Sequence, residues 1–204
     1  MSVLSFGNLK LPKTTAIFNL PAGMSCPGRT KMCEKVCYAK KASRRFPAAE
    51  KRRADNFALS RTPEFIATIN SAIAKAKGRI DTVRIHESGD FYNQQYFDKW
   101  VAIASINPGL KFYAYTKSWF LDISNKPNNF TLIFSVDKTS IKKAPLGIDG
   151  FAVMVEDRKP RLDVNYGDIK LCYDVKNNRH LKCKDGCNYC YSGDKEKMVI
   201  FFKH

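Results

Sequence analysis

Histidine is scarce in this chain, three in 204 residues, so a histidine-led metal or acid–base site has little to draw on. Long apolar runs are missing. No stretch of about 18 apolar residues occurs, which excludes a membrane-spanning helix. Met1 to Leu20 lacks a charged start followed by an apolar core and a small-residue cleavage site, so no secretory leader is expected. The glycines form neither GxGxxG nor GxxxxGKS/T, which removes the two common phosphate-cradling loops. Acidic residues are also short, 19 Asp+Glu against 35 Lys+Arg, leaving a formal charge of +16. What is present is 44% hydrophobic and 12% aromatic, enough to build a core and too much for a disordered basic tail.

The charge is concentrated. Between Arg29 and Arg53 stand 10 basic residues against Glu34 and Glu50, so +8 of the +16 lies in 25 residues. Such a run reads either as a solvated helix face or as an electrostatic footprint for a polyanion, with Lys40, Lys41, Arg44, Arg45, Lys51, Arg52 and Arg53 as its candidates. Charge alone does not separate DNA, RNA and an acidic protein as partners.

Strand and helix signals alternate. Thr15 to Leu20 predicts a strand, and Met32 to Lys77 a helical region broken at Pro47 and at Thr62-Pro63, with Thr62 as a cap. Thr82 to Glu87 alternates like a strand, and Asn93 to Ile106 has helical spacing. Lys111 to Thr116, Phe130 to Val136, Gly150 to Val155 and Met198 to Phe202 predict further strands. The alternation implies right-handed crossovers and a mostly parallel sheet of five or six strands, as an open sheet or a partial (β/α) barrel. One α/β domain over residues 1–204 is expected, with 170–194 as a cysteine-rich metal-binding segment.

In such folds functional groups gather at the C-terminal ends of strands. Three ends are chemically loaded: the first precedes Cys26, the second ends in His86-Glu87-Ser88-Gly89-Asp90, and the third in Tyr115-Thr116-Lys117-Ser118. His86 is open to both a core and a functional reading. Glu87 and Asp90 could serve as acid/base or ligand-holding carboxylates, or Asp90 could cap the helix near Asn93. Phe112, Tyr113, Tyr115, Trp119 and Phe120 could stack bases or fill the core. His180 and His204 are isolated and carry no signal.

All 7 cysteines fall into two groups: Cys26, Cys33 and Cys37 with spacing C-x6-C-x3-C, and Cys172, Cys183, Cys187 and Cys190 with spacing C-x10-C-x3-C-x2-C. Without a secretory leader they read as thiols or thiolate ligands, suited to zinc or iron–sulfur centres. Three thiols leave one iron of a [4Fe-4S] cluster open, whereas four can close a site as a structural zinc or a second cluster. A single metal drawing on both groups is the alternative arrangement.

The motifs Phe18-Asn19-Leu20-Pro21-Ala22-Gly23, Cys26-Pro27-Gly28, Cys37-Tyr38-Ala39, Val83 to Phe91 and Phe112 to Lys117, with the C-terminal cysteines, resemble bacteriophage proteins of the gene-product-eighty-eight type. That resemblance covers nearly the whole chain and implies expression from a phage or prophage in the cytoplasm of a bacterial host. More loosely, three cysteines after the first strand are similar to radical S-adenosylmethionine enzymes, although C-x6-C-x3-C departs from their C-x3-C-x2-C. This likeness implies a truncated TIM-like barrel. The Glu87 region is similar in position to the cofactor-amine-binding motif of those enzymes; with the strand-end residues, this makes Glu87, Tyr115 and Lys117 the candidate cofactor contacts, beside His86, Glu87 and Asp90 as catalytic candidates. Three readings therefore stand. One is an iron–sulfur protein with a basic surface for nucleic acid or an acidic host protein. The others are an S-adenosylmethionine enzyme using the open iron, and a zinc-stabilised nucleic-acid-binding module.

Overall fold

The computed structural model of the chain describes residues 2–137, 140, 143, 147–155, 170–172, 181–191 and 197–202, without the side chains of Arg44, Val155, Tyr191, Lys197 and Phe202. His180 and His204 lie outside the described residues, as do parts of the 170–194 segment. Eight strands form one sheet: β1 (Ser5–Phe6), β2 (Thr15–Phe18), β3 (Thr82–Ile85), β4 (Lys111–Thr116), β5 (Phe130–Val136), β6 (Gly150–Val155), β7 (Lys170–Leu171) and β8 (Lys197–Phe202). Their spatial order is β1-β2-β3-β4-β5-β6-β8-β7. All pairings are parallel except β1 with β2. The expected parallel α/β sheet is therefore present, but it is open. Two-residue strands bound it at both edges, β1 running antiparallel to its neighbour, so the first and last strands never pair and no TIM-like barrel closes.

The helical region divides into α1 (Lys31–Val36), α2 (Tyr38–Arg45), α3 (Pro47–Ser60) and α4 (Phe65–Lys75), with α5 (Gln94–Ile106) following β3. Pro47 opens α3 at its first turn, where its missing N–H costs nothing. Thr62 does not cap α4: its hydroxyl donates to the Leu59 carbonyl at 3.0 Å, and Glu64 stands at the helix boundary. Asn93, not Asp90, caps α5 by accepting from the Tyr96 N–H at 2.9 Å. β3 stops two residues earlier than expected because His86 turns left-handed at φ 66°.

Register separates the two faces. Phe18, Ile85, Ala114 and Leu132 align across β2 to β5 and enter the main core. There Phe65, Ile69 and Ile73 of α4 and Tyr96, Phe97, Trp100 and Ile103 of α5 cover them. Trp100 meets Phe18 edge-on at 5.3 Å and Phe65 at 5.5 Å. The neighbouring register puts Ile17, Arg84 and Tyr113 on the other face. Among the described residues its apolar cluster has Ile133, Ala152 and Val199 buried, with Tyr115, Cys172, Tyr189, Cys190 and Phe201 packed against them. Among the described residues no helix is long and apolar enough to cross a membrane.

Candidate metal–thiolate sites

The loop after β2 is fastened to the C-terminal edge of the sheet. Asn19 Oδ1 accepts from the Glu87 and Ser88 N–H groups at 2.7 and 3.0 Å, and Ser88 Oγ donates to the Leu20 carbonyl at 2.8 Å. Gly28 lies so close to the Lys117 carbonyl that a Cβ there would overlap it. Gly89, at φ 90°, leaves no room either: a Cβ would stand 2.5 Å from Leu20 Cβ. The Cys26–Gly28 stretch is thus clamped over the end of β4. Thr30 then caps α1 by accepting from the Cys33 N–H at 3.1 Å, while its own hydroxyl donates to Asp137 Oδ2 at 2.5 Å beyond β5. Cys37 sits at the break between α1 and α2. One continuous segment therefore carries three thiols across the ends of β2, β4 and β5.

Burial pushes the Cys26 thiol up to about 11, with the Asp90 carboxylate and Cys33 adding to the rise. Burial raises Cys33 too, against the pull of Lys117, while Cys37, Asp90 and Asp137 push it further up. The three sulfurs share one electrostatic neighbourhood. Its cation is Lys117, 8% exposed, whose Nζ donates to the Ser135 carbonyl at 2.7 Å and stands 3.7 Å from Asp137 Oδ2. Asp90 is buried and accepts from the Phe91 N–H and Thr116 Oγ1 at 2.7 Å and from the Lys117 N–H at 2.8 Å. Burial lifts its carboxyl to about 6 despite these bonds. Asp90 is the clasp between the β3 and β4 loops.

The second thiol group lies on the opposite face. Cys172 follows β7, its N–H donating to the Ile200 carbonyl at 2.9 Å, while Cys183 and Cys190 lie in two short 3-10 turns, Cys183–Asp185 and Tyr189–Tyr191. Tyr115 Oη donates to Cys190 Sγ at 2.6 Å. Burial raises Cys172 to about 12, with Cys190, Cys183 and Cys187 adding to the rise and Lys10 opposing it. Cys183 is raised by burial and by Cys190 and Cys187, against the pull of Arg84. All seven cysteines are half-buried, and among the described residues none is joined in a disulfide. Among the described residues no three or more of His, Cys, Asp and Glu are arranged as the ligand set of one metal ion.

The other predicted residues distribute unevenly. His86 is 3% exposed, its Nε2 is 2.8 Å from Tyr96 Oη, and burial followed by the Arg84 charge lowers it to about 3. Its ring packs against Phe91 in the core, where burial disfavours the charged form. Glu87 Oε1 accepts from Asn8 Nδ2 at 2.7 Å, and Tyr38 Oη donates to its carbonyl. Lys117 joins the edge thiols, whereas Tyr115 faces the second group. The basic run is also thinned by pairing. Lys40 meets Glu34 at 2.7 Å and Lys51 meets Asp55 at 2.9 Å. Arg53 is spent on Ser43 Oγ at 2.8 Å and Glu50 at 3.4 Å. Arg52 lines a cleft with Ile17, Asn19 and Asn56, its Nε buried without a hydrogen-bond partner. Lys41 and Arg45 are exposed, and the Arg44 side chain lies outside the described residues. Sequence reasoning missed Asp137 and Arg84. Asp137 was findable as the residue directly after a strand; Arg84 carried no signal, because only the face it occupies sets it among tyrosines and thiols.

A family model described as Gene product 88 matches residues 2–197. The Gene 88 protein of Mycobacterium phage L5 is 31% identical over 134 residues, covering 60% of this chain and 56% of the relative. The Gene 88 protein of Mycobacterium phage D29 is 28% identical over 134 residues, with the same shares of 60% and 56%. The match thus spans little more than half the length of these relatives. No solved structure matches. The radical S-adenosylmethionine likeness finds no support in these matches or in the open sheet. With its match running over residues 2–197, from before β1 through both thiol groups to the first residue of β8, the chain belongs to the gene product 88 family.

Proposed function

We propose that this chain is a phage iron–sulfur protein in which Cys26, Cys33 and Cys37 hold a [4Fe-4S] cluster at the strand ends. What supports this reading is that one clamped loop–helix segment at the strand ends carries all three thiols, with Cys33 within reach of the Lys117 charge. Soft sulfur donors suit iron, and their partial exposure suits assembly from solution. A cluster held by three cysteines supplies one iron open to a further ligand. In that setting Lys117 offsets negative charge, Asp90 locks the β3 and β4 loops beneath the segment, and Thr30 ties the start of α1 to Asp137. Exposed Lys41 and Arg45, with exposed Met24, Tyr38 and Phe46 close by in sequence, favour a polyanionic partner in the host cytoplasm.

Anaerobic reconstitution with iron and sulfide tests this reading. The protein should turn brown, absorb near roughly 400 nm and bind about four irons with sulfide at the edge site. Cys33→Ser should remove that signal, while serine at Cys183 and Cys190 should leave it. A colourless chain holding zinc alone refutes the proposal.

A further inference from the structure

Ala49, Arg52, Arg53 and Asn56 recur at helical spacing along α3 and share one of its faces. With Val3 and Ile17 from the β1–β2 edge of the sheet they line an open cleft of about 360 Å³. Asn56 braces it: the residue is 3% exposed, and its Nδ2 donates to the Val3 carbonyl at 3.2 Å and to the Asn19 carbonyl at 3.1 Å. Asn19 Oδ1 is in turn taken by the Glu87 and Ser88 N–H groups. No carboxylate is among the lining residues, so the cleft presents two guanidinium groups and no acid.

Arg52 has no role in holding the fold together. Its Nε is buried, yet among the described residues it has neither a hydrogen-bond partner nor a carboxylate within ion-pair distance. The acids of α3 are engaged elsewhere. Glu50 accepts from Ser43 Oγ at 2.5 Å and meets Arg53 at 3.4 Å, and Asp55 meets Lys51 at 2.9 Å. An arginine that only rests its stem on apolar surface keeps its donors in water. Here the innermost N–H of the guanidinium is shut from water, which costs free energy that an anion accepting from it would return. Arg53 beside it has a side chain only 12% exposed, and its hydrogen bonds among the described residues all run from Nη1.

We infer that the cleft between α3 and the β1–β2 edge is a phosphoryl-binding site, with Arg52 as its principal donor and Arg53 as the second charge. Phosphate suits it because a guanidinium matches two phosphate oxygens at once and two adjacent cations favour a dianion over a single carboxylate. The apolar walls from Val3, Ile17 and Ala49 keep the surroundings poor in water, which strengthens charge-assisted bonds made there. The phosphoryl group belongs either to a free phosphate ester or to the backbone of a single-stranded nucleic acid, and the chemistry of capture is the same for both. The site stands whether or not the edge thiols hold iron.

Titration of the full chain with inorganic phosphate at constant ionic strength, read on the nitrogen-15 side-chain spectrum of its arginines, tests the assignment. The Arg52 Nε–H signal, assigned through its own side-chain carbons, should shift and saturate at millimolar phosphate, whereas chloride and acetate at equal strength should leave it nearly still. Arg52→Met keeps the apolar stem and removes the donors, so it should weaken phosphate binding about tenfold or more without lowering the urea midpoint. Arg45→Gln, on the exposed part of α2, should leave phosphate binding unchanged. An oligothymidylate without terminal phosphates separates the two sources. If it moves the same Arg52 signal, the ligand is a nucleic-acid backbone; if only phosphate moves it, the ligand is a free phosphate ester. The parent titration keeps the test decisive should Arg52→Met fail to fold. A shift that never saturates, an equal response to chloride or acetate, or a folded Arg52→Met variant that binds phosphate as tightly as the parent would each overturn the inference.

Discussion

Two buried groups at the end of β3 have opposite titrations, and their cancellation can be tested. Burial, followed by the Arg84 charge, holds His86 down at about 3 from its ordinary 6.5. The folded state keeps it neutral, so its stability contribution is full above pH 6.5 and is lost as pH falls towards 3. Burial lifts Asp90 from 3.8 to about 6, so the folded state holds a proton that the unfolded chain gives up. Its contribution is full below 3.8 and is lost as pH rises towards 6. Between about pH 4 and 6 each group changes stability by about 1.4 kcal/mol per pH unit, in opposite directions. Removing either one unmasks the other. For Asp90→Asn, stability relative to the parent should drop by about 3 kcal/mol on going from pH 6 to pH 4. For His86→Asn, chosen because Asn tolerates the left-handed backbone, it should rise by a similar amount. Urea unfolding at half-unit pH steps measures both, and the difference from the parent cancels whatever the curves share, including metal loss in acid. Two variants whose pH slopes match the parent's would refute the burial argument for these groups.

Other perturbations bear on the clamped edge and the basic surface. Gly28→Ala forces a Cβ into the Lys117 carbonyl and should cost about 2–4 kcal/mol in denaturant unfolding, with less iron taken up on reconstitution if the edge thiols hold the proposed cluster. Asn19→Ala leaves the Glu87 and Ser88 N–H groups without their acceptor and should cost about 1–3 kcal/mol, whereas Asn19→Asp, which keeps an acceptor there, should cost less. If α2 engages single-stranded nucleic acid, changing Lys41 and Arg45 to glutamine should reduce the slope of log affinity against log salt by about 1.4, and Lys40→Gln should act less because Glu34 already pairs with it. An unchanged slope would take α2 out of the interface.

Much of the architecture was legible locally. The strands from Lys111 to Thr116, Phe130 to Val136 and Gly150 to Val155 stand where their β-rich runs put them, because a run that pairs on both sides needs little tertiary help to declare itself. The short edge strands Ser5–Phe6 and Lys170–Leu171 were not legible, since two residues carry no period and form only against a neighbour. Thr62 illustrates the same limit for caps: a residue type permits a cap, but the hydroxyl takes whichever backbone group the turn brings closest.

The sequence by itself determined the division of seven cysteines into three and four, the strand-end positions of Cys26, Asp90 and Lys117, and the alternation that makes a parallel sheet. Spacing along the chain is enough for these, because each depends on neighbours a few residues away. Only the tertiary structure decided that the sheet stays open, that Tyr115 turns from the edge site to the far face, and that Arg84 lies between two tyrosines beside Cys183. Strand register sets which face a residue joins, and register is fixed by pairing between segments distant in sequence. It also decided which cations of the basic run are paired, since the charges of Arg53 and Lys40 are offset by carboxylates that spacing alone did not place.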